Sequence, residues 1–279
     1  MKKARVTFIG GGNMADSLIG GLIKDGFSAE AITVSDPNKE KRQELSAKYS
    51  LNVTDVNQEA VVGSDVVVLA VKPQMIRGVA LGIADAVAGA APLVISIAAG
   101  IQVDALAYWL GKDTAIVRTM PNTPALVGSG ATALYANERV SSGQHDLAES
   151  IMRAVGLAIW IDDEDDMDAV TALSGSGPAY LFLVMEAMEA AGRDLGLSAE
   201  SARLLTLQTA LGAARIAMES DEDIANLRVR VTSPGGTTER ALRILNEGDL
   251  KGLFNKALHG AHDRARELSA LLNESTTDE

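Results

Sequence analysis

The chain has 279 residues, 47% of them apolar and 22% charged, which is the composition of one large globular domain or two ordinary ones. Its formal net charge of -12 argues against nucleic acid or an anionic membrane surface as a partner. The absence of cysteine excludes disulfides and thiolate chemistry, and three histidines do not favour a histidine-rich metal site, so we expect no bound metal.

Export and membrane insertion are not expected either. The N-terminal stretch MKKARVTFIGGG is basic and then apolar, but glycines interrupt it before an apolar run of signal-peptide length forms. No apolar run reaches the length that crosses a bilayer. We therefore expect a cytoplasmic protein.

Short apolar runs alternate with helical patterns over the first 160 or so residues. Runs rich in β-branched residues predict buried strands at 5–10, 31–36, 66–71, 93–99, 115–120 and 157–162. Helical patterns lie between several of them, at 13–25, 38–48, 74–88 and 141–155. This alternation predicts right-handed crossovers and a mainly parallel sheet covered by helices on both faces.

The first strand is followed by the sequence GGGNMA. Gly10, Gly12 and Ala15 form a G-x-G-x-x-A pattern between a strand and a helix, which is the context of a dinucleotide-binding turn. The first glycine permits the tight turn, the second lets the backbone approach a pyrophosphate, and the alanine keeps helix and strand close. We predict that a dinucleotide binds at this helix N-terminus, with a purely structural turn as the alternative.

The second strand ends at Ser35 and Asp36. An acid at this position accepts hydrogen bonds from the adenosine ribose and favours NAD, because it would repel a 2′-phosphate. Lys39, Lys41 and Arg42 follow at once, and they could hold that phosphate or simply form a solvated helix face. The residues thus leave the choice between NADH and NADPH open.

Three later strands also end in loops of small residues and proline. These loops are 70–73 (AVKP), 97–100 (IAAG) and 120–124 (MPNTP). Open α/β sheets bind ligands at the carboxyl edge of their strands, so the loops predict a cleft for a ribose and a nicotinamide ring. Ordinary turn chemistry is the alternative at each loop taken alone.

After about residue 163 the strand signals stop. Residues 178–192, 198–219 and 249–273 are rich in Ala, Leu and Met at helical spacing, and the acidic stretch 162–168 before them predicts a solvated turn and the N-terminus of a helix. We therefore predict a dinucleotide-binding Rossmann domain over 1–163 and a helical domain over 164–279 that binds substrate and forms dimers.

The stretch 179–192 predicts self-association. It is apolar around most of its circumference, with Glu186 and Glu189 as its only charges, which indicates a helix buried on nearly all sides. A domain of little more than a hundred residues would struggle to surround such a helix alone. We therefore predict a homodimer in which two such domains pack together, with burial inside one chain as the alternative.

Two loops in the second half combine glycines with hydroxyl side chains. Residues 174–180 (SGSGPAY) enter the apolar helix, where small residues either leave an opening for the nicotinamide or pack as a capped helix start. Residues 233–238 (SPGGTT) precede another helix, so their backbone N–H groups are free to bind an anion. We predict a carboxylate cradle without cations there, with an N-cap and Gly-Gly turn as the alternative.

The second half also lacks an obvious proton donor. No lysine occurs between Lys112 and Lys251, and no histidine between His145 and His259. A 2-hydroxy acid dehydrogenase needs an acid or base to move the alcohol proton, and neither loop supplies one. A cyclic imine fits better, because its protonated ring nitrogen already makes the adjacent carbon electrophilic and hydride transfer then requires mainly positioning.

The motifs GGGNMA, AVKP, SIAAG, MPNTPA, SGSGPAY and SPGGTT, in this order and spacing, closely resemble the pyrroline-5-carboxylate reductase family over essentially the whole chain. The resemblance implies NAD(P)H-dependent reduction of 1-pyrroline-5-carboxylate to L-proline, the last step of proline biosynthesis. It implies an α/β Rossmann-like domain followed by an all-α dimerisation domain similar to the C-terminal domain of 6-phosphogluconate dehydrogenase. Dimers of this family can assemble further, often to decamers.

The resemblance also implies roles for individual residues. The substrate carboxylate would lie on the backbone of Gly236 and Thr237, and the Thr238 hydroxyl would bond the ring nitrogen or the carboxylate, which makes Thr238 the catalytic candidate. Substrate contacts are expected from Ser176, Ser233, Gly235, Gly236, Thr237 and Thr238. Cofactor contacts are expected from Gly10, Gly11, Gly12, Asn13, Met14, Ala15, Ser35, Asp36, Asn57, Ala70, Val71, Lys72, Pro73, Ile97, Ala98, Ala99 and Asn122.

Two other functions compete with this one, and one residue departs from the family. A related β-hydroxy acid dehydrogenase would need the lysine that the middle of the chain lacks, and a non-enzymatic nucleotide sensor would not need the SPGGTT loop. Many relatives carry serine or another uncharged residue in place of Asp36, so the acid weakens the case for NADPH.

Overall fold

The computed structural model describes residues 4–273, which form two compact units. The first unit contains the residues up to Ser176 together with those from Ala261 onward, and the second runs from Gly177 to Gly260. The division falls after the predicted domain boundary at residue 163. Residues 164–176 belong to the first unit, and the predicted boundaries remain a prediction.

An eight-stranded sheet forms the centre of the first unit. Its strands are β1 Val6–Ile9, β2 Ile32–Ser35, β3 Asn52–Thr54, β4 Val66–Leu69, β5 Leu93–Ser96, β6 Ile116–Met120, β7 Gly130–Ala136 and β8 Gly156–Trp160. The order across the sheet is β3-β2-β1-β4-β5-β6-β7-β8, and every neighbouring pair is parallel except β6 with β7. The predicted mainly parallel sheet is therefore confirmed.

Strands β3 and β7 were not indicated by the sequence. β3 has only three residues at the edge of the sheet, two of them exposed, so no buried apolar run marks it. β7 has the sequence GATALYA, in which small residues replace the β-branched ones typical of strands. Its antiparallel pairing with β6 places Val117 opposite Ala136 and Met120 opposite Ala133.

Helices cover both faces of this sheet. They are α1 Asn13–Lys24, α2 Lys39–Tyr49, α3 Asn57–Val61, α4 Pro73–Ala90, α5 Val103–Leu110, α6 Ser142–Arg153 and α7 Asp166–Val170. Apolar side chains of α1, α2 and α6 pack on one face, and those of α3, α4 and α5 pack on the other. Strands β1, β4 and β5 are consequently buried on both sides, as their continuous apolar runs predicted. The prediction of a buried strand at 157–162 is wrong in its burial, because β8 lies at the edge of the sheet and its Leu157 and Ile159 are 56% and 49% exposed.

One acidic residue of the 162–168 stretch departs from the predicted solvated turn. Glu164 Oε1 accepts hydrogen bonds from Arg118 Nη1 at 2.8 Å and from the backbone N–H of Val103 at 2.9 Å. The Arg118 side chain is only 5% exposed. Glu164 therefore fastens this stretch to β6 and to the first residue of α5, whereas Asp162, Asp163, Asp165 and Asp166 are exposed.

The second unit is helical, as predicted. It contains α8 Gly177–Asp194, α9 Ala199–Glu219, α10 Ile224–Arg230, α11 Thr237–Glu247 and the first part of α12 Leu250–Asn273. No helix within residues 4–273 is both long enough and apolar enough to cross a membrane.

Helix α8 is not buried within one chain. Leu181, Phe182 and Leu183 are 58%, 64% and 66% exposed, and the helix has no buried residue. The alternative of burial inside one chain is therefore wrong. The apolar surface is available to a second copy, which is the arrangement that the predicted homodimer requires.

Candidate active site

The glycine turn after β1 lies where the strand order reverses. Gly10 has φ of 100°, and its N–H donates to the carbonyl of Ser35 at 2.7 Å. A Cβ at Gly10 would lie 2.6 Å from the carbonyl oxygen of Ala70, the residue that follows β4. Only glycine fits this close approach of two backbones, and a sheet of this order binds ligands in the crevice beside such a point.

The next two glycines leave the start of α1 open. The N–H of Gly11 donates to Asp36 Oδ2 at 2.8 Å, which fixes the loop to the end of β2. Gly12 is the N-cap of α1 and carries no capping side chain, and a Cβ there would meet no atom within 4 Å. Asn13 and Met14 begin the helix and Ala15 is fully buried. The geometry suits a pyrophosphate on the helix N-terminus.

The end of β2 carries the predicted ribose-binding residues close together. The hydroxyl of Ser35 donates to Asn57 Oδ1 at 2.6 Å, and Asp36 Oδ1 accepts from the N–H of Asn38 at 2.8 Å. Asp36 thus uses one carboxylate oxygen for the glycine loop and the other for the start of α2. The carboxylate is held in place before any cofactor binds.

The cations that follow Asp36 are largely paired within the protein. Arg42 Nη1 donates to the carbonyl of Asp36 at 2.6 Å, and Nη2 binds Asp55 at 3.0 Å. Lys41 binds Glu44 at 3.1 Å, while Lys39 is exposed. Two of the three candidate phosphate-binding side chains therefore already face carboxylates.

A second cluster holds α2 against the first turn of α1. Lys48 Nζ lies 2.9 Å from Asp16 Oδ2 and 4.8 Å from the centre of the Tyr49 ring. Contacts with Tyr49 and then Asp16 raise the pKa of Lys48, and burial raises the pKa of Tyr49. The cluster keeps Lys48 protonated and fixes the helix that begins at the glycine turn.

The loops after β4 and β5 flank the glycine turn along the same edge of the sheet. The N–H of Ala70 donates to the carbonyl of Ile9 at 2.8 Å, and the N–H of Ile97 donates to Leu69 at 3.2 Å. Pro73 is the first residue of α4, where its missing N–H costs no hydrogen bond. The predicted cofactor residues Val71, Lys72, Ala98 and Ala99 lie in these two loops.

The end of α12 supports the loop after β5, which the sequence did not indicate. Ser269 Oγ and Asn273 Nδ2 donate to the carbonyl of Gly100 at 3.1 and 2.8 Å. The N–H of Gln102 donates to Asn273 Oδ1 at 3.2 Å. The available signal was weak: a serine and an asparagine four positions apart, with alanine and leucine beside them on the same helix face.

Asn122 connects the loop after β6 to the SGSG segment. Its Nδ2 donates to the carbonyl of Ser174 at 3.0 Å, and its Oδ1 accepts from the N–H of Ala131 at 2.8 Å. Ser174 belongs to a π-helical turn, Thr171–Gly175, which precedes Ser176. Two residues predicted for different ligands, Asn122 and Ser176, are therefore parts of one hydrogen-bonded arrangement.

The SPGGTT loop lies in the second unit and uses some of its own N–H groups. The N–H of Gly235 donates to Glu239 Oε2 at 2.6 Å, and that of Gly236 donates to the carbonyl of Ser233 at 3.0 Å. Glu239 is a residue that the sequence did not indicate. Helix α11 begins at Thr237 with Gly236 as an N-cap that has no capping side chain.

These hydrogen bonds reduce the number of backbone N–H groups that the predicted carboxylate cradle can offer to an anion. The first residues of a helix have N–H groups without an intrahelical acceptor, and in α11 these belong to Thr237, Thr238 and Glu239. The N–H of Gly236 is engaged in the turn, whereas that of the other predicted contact, Thr237, has no intrahelical acceptor, and the predicted carboxylate contacts remain a prediction. Among residues 4–273, no group of three or more His, Asp and Glu side chains is arranged to hold a metal ion.

A parallel sheet with a glycine turn at its switch point and a conformationally fixed acid after β2 defines a Rossmann-type oxidoreductase. Residues 5–100 match the family "NADP oxidoreductase coenzyme F420-dependent", and residues 164–268 match "Pyrroline-5-carboxylate reductase dimerisation". The chain belongs to the pyrroline-5-carboxylate reductase family. The predicted family, fold class and oxidoreductase activity are confirmed, and the dimerisation match supports self-association.

Individual relatives cover almost the whole chain. A pyrroline-5-carboxylate reductase from Pseudomonas aeruginosa is 50% identical over 274 residues, which are 98% of this chain and 100% of the relative. A reductase structure from Coxiella burnetii superposes with a TM-score of 0.92 at 49% identity, covering 95% and 98% of the two chains. One from Plasmodium falciparum with NADP bound has a TM-score of 0.85 at 31% identity, covering 96% and 99%.

Proposed function

We propose that the protein reduces 1-pyrroline-5-carboxylate to L-proline with hydride from NADH or NADPH, as the last step of proline biosynthesis. The observation that carries this proposal is 50% identity over the full length of a relative that bears the name of this reductase. The local geometry agrees with it, because the chain combines a dinucleotide-binding turn with a cation-free helix start that suits a small carboxylate.

The first unit provides the cofactor site. We assign the pyrophosphate to the N-terminus of α1 at Gly12, and the adenosine ribose to Ser35, Asp36 and Asn57. The nicotinamide is assigned to the carboxyl edge of β4 and β5, beside Ala70–Pro73 and Ile97–Ala99. The dinucleotide would supply a hydride when bound, and the residues of the chain would hold the nicotinamide ring in position.

The second unit provides the substrate cradle. The carboxylate accepts from the backbone N–H groups of Thr237 and Thr238, and the Thr238 hydroxyl bonds the ring nitrogen or the carboxylate. The cyclic imine carries its proton on the ring nitrogen, so the hydride adds to the adjacent carbon and the electron pair of the C=N bond moves to nitrogen. No lysine or histidine is needed to deliver a proton, and this explains a loop made of glycines and hydroxyls.

NADH is the preferred cofactor in this proposal. Asp36 is held by two backbone N–H groups, so it cannot easily turn away from a 2′-phosphate. Arg42 and Lys41, which could attract that phosphate, are already paired with Asp55 and Glu44. Placing a phosphate beside a fixed carboxylate on the solvent-accessible side of the site costs at least about 1.4 kcal/mol, so we expect kcat/KM to be about ten-fold or more higher with NADH.

The active form is a cytoplasmic homodimer that can assemble further, up to a decamer, without nucleic-acid or membrane partners. The exposed apolar side chains of α8 support this part of the proposal, because two copies can cover them against each other. Size-exclusion chromatography with light scattering measures the number of subunits directly.

Initial rates with pyrroline-5-carboxylate under each cofactor test the reaction and the cofactor choice together. Dinucleotide oxidation with stoichiometric formation of proline is expected. No oxidation under either cofactor would reject the reductase, whereas a higher kcat/KM with NADPH would reject only the role of Asp36.

A further inference from the structure

The side chain of Asn122 holds three separate segments of the backbone together. Its amide nitrogen donates to Ser174, 52 positions later, and its amide oxygen accepts from Ala131, nine positions later. The residue is only 9% exposed. A buried amide whose two ends both bind backbone is suited to fixing geometry, because leaving either partner unpaired would cost the desolvation of a buried polar group.

The segment that Asn122 holds has an unusual backbone. The N–H of Ser176 donates to the carbonyl of Thr171 at 2.9 Å, five positions earlier, which is the pattern of a π-helical turn. Such turns are rare and occur frequently at functional sites. The hydroxyls of Thr171 and Ser174 donate to carbonyls four positions earlier, at 2.8 and 3.0 Å, a pattern that bends helices and competes with regular α-helical bonding here.

The end of β6 packs against the same turn at a second point. A Cβ at Gly175 would lie 2.6 Å from Met120 Cε, so the glycine lets this side chain approach closely. The π turn is thus fixed to residues 120–122 through Ser174 on one side and Gly175 on the other. Both contacts lie between the predicted cofactor loop after β6 and the predicted substrate residue Ser176.

We infer that Asn122 is a positioning residue, which sets the π turn and thereby Ser176 for the substrate, and that its side chain does not bind the cofactor. The inference rests on the proposed function, since it takes Ser176 as a substrate contact. It assigns to Asn122 a role different from the cofactor contact predicted for it at the carboxyl edge of the sheet.

Asn137 provides a matched control for this inference. Its Oδ1 accepts from the N–H of Ile116 at 3.1 Å, and its Nδ2 donates to the carbonyl of Thr114 at 2.9 Å. It therefore makes the same two kinds of backbone hydrogen bond as Asn122, but at the beginning of β6 and away from the carboxyl edge. Substitutions of Asn137 report what the loss of such a bridge does to stability alone.

The experiment compares Asn122→Asp and Asn122→Ala with Asn137→Asp and Asn137→Ala in the intact enzyme. The Asp variants keep the acceptor and replace the donor with an oxygen that faces a carbonyl, whereas the Ala variants remove both hydrogen bonds without adding a charge. The two kinds of variant therefore disturb folding for different reasons, and either one that folds tests the inference. We expect both Asn122 variants to raise the KM for pyrroline-5-carboxylate about five- to ten-fold, as expected if a displaced Ser176 loses one hydrogen bond to the substrate, with the KM for NADH within about two-fold of wild type. The Asn137 variants should lower thermal stability without raising either KM.

Three results would overturn the inference. A raised KM for NADH in the Asn122 variants would show that the Asn122 side chain contacts the cofactor after all. Unchanged KM values together with reduced thermal stability would make Asn122 an ordinary structural residue. Absence of turnover in the wild-type enzyme would reject the proposed function first, and the positioning role with it.

Discussion

The buried pair of Arg118 and Glu164 predicts an asymmetric response to mutation. Glu164→Ala leaves the Arg118 guanidinium, whose side chain is 5% exposed, without its counter-charge and also removes the acceptor for the N–H of Val103. Breaking a buried ion pair in this way costs about 3–5 kcal/mol. Arg118→Met keeps most of the side-chain volume, and the remaining carboxylate, 18% exposed, still accepts from Val103, so we expect a cost of about 1–2 kcal/mol.

Urea denaturation at pH 7, followed by tryptophan fluorescence, measures both values. The chain has two tryptophans, Trp109 and Trp160, and both lie in the sheet-containing unit, so the signal reports on the unit that contains the ion pair. The free energy of unfolding should fall at least twice as far in Glu164→Ala as in Arg118→Met. Equal losses, or a loss below about 1 kcal/mol in Glu164→Ala, would show that the pair is not held in the buried arrangement described above.

Four further predictions concern variants of the candidate active site and the stability of the protein at low pH. Gly10→Ala should abolish folding or cofactor binding, because its Cβ meets the Ala70 carbonyl, whereas Gly12→Ala should fold normally and raise only the KM for the dinucleotide. Thr238→Ala should lower kcat by about 10- to 100-fold and leave the dissociation constant of NADH, measured by fluorescence, unchanged; wild-type kcat would remove its catalytic role. Asp36→Ser should raise kcat/KM with NADPH relative to NADH, and an unchanged ratio would contradict the repulsion argument. Hydrogen bonds from Trp160 and then Arg153 lower the pKa of Glu149 in the folded protein. The ionised Glu149 therefore stabilises the fold above its unfolded-state pKa of about 4.3, and this contribution is lost as the pH falls through its folded-state pKa. In urea titrations, Trp160→Phe should consequently lower the free energy of unfolding less at pH 3 than at pH 7.

The strands could be predicted where a continuous apolar run in the sequence corresponds to a strand buried on both faces. Runs such as VVVL at β4 are buried on both faces of a parallel sheet, so their apolar character is continuous and visible. β3 and β7 gave no such signal, since one is a short exposed edge and the other is built from small residues. The sequence pattern thus predicts strands that are buried and rich in β-branched residues, and it does not predict strands that lack both features.

The site could be predicted to the level of its loops and not of its hydrogen bonds. Glycines and prolines mark the turns at the carboxyl edge because they fit backbone conformations that other residues rarely adopt. At Gly10, for example, φ is positive and a Cβ would clash with the Ala70 carbonyl. The partners of Glu164, Asn122 and Glu239 depend on which segments the fold brings together across many positions, and residue type alone does not specify them. For the same reason the acid Glu164 was assigned to a solvated turn although it faces Arg118.

The internal hydrogen bonds of the SPGGTT loop bear on how a cradle without cations can work. Gly235 and Gly236 donate to Glu239 and Ser233, so part of the loop is already ordered by its own hydrogen bonds before an anion arrives, which lowers the cost of ordering on binding. As a consequence fewer N–H groups remain for an anion, and the proposed cradle uses those of Thr237 and Thr238. A helix start attracts an anion weakly compared with a lysine or arginine, so the product, which carries the same carboxylate, can also leave. Uncharged donors therefore fit a reaction in which substrate and product differ by one reduced bond and need the same orientation.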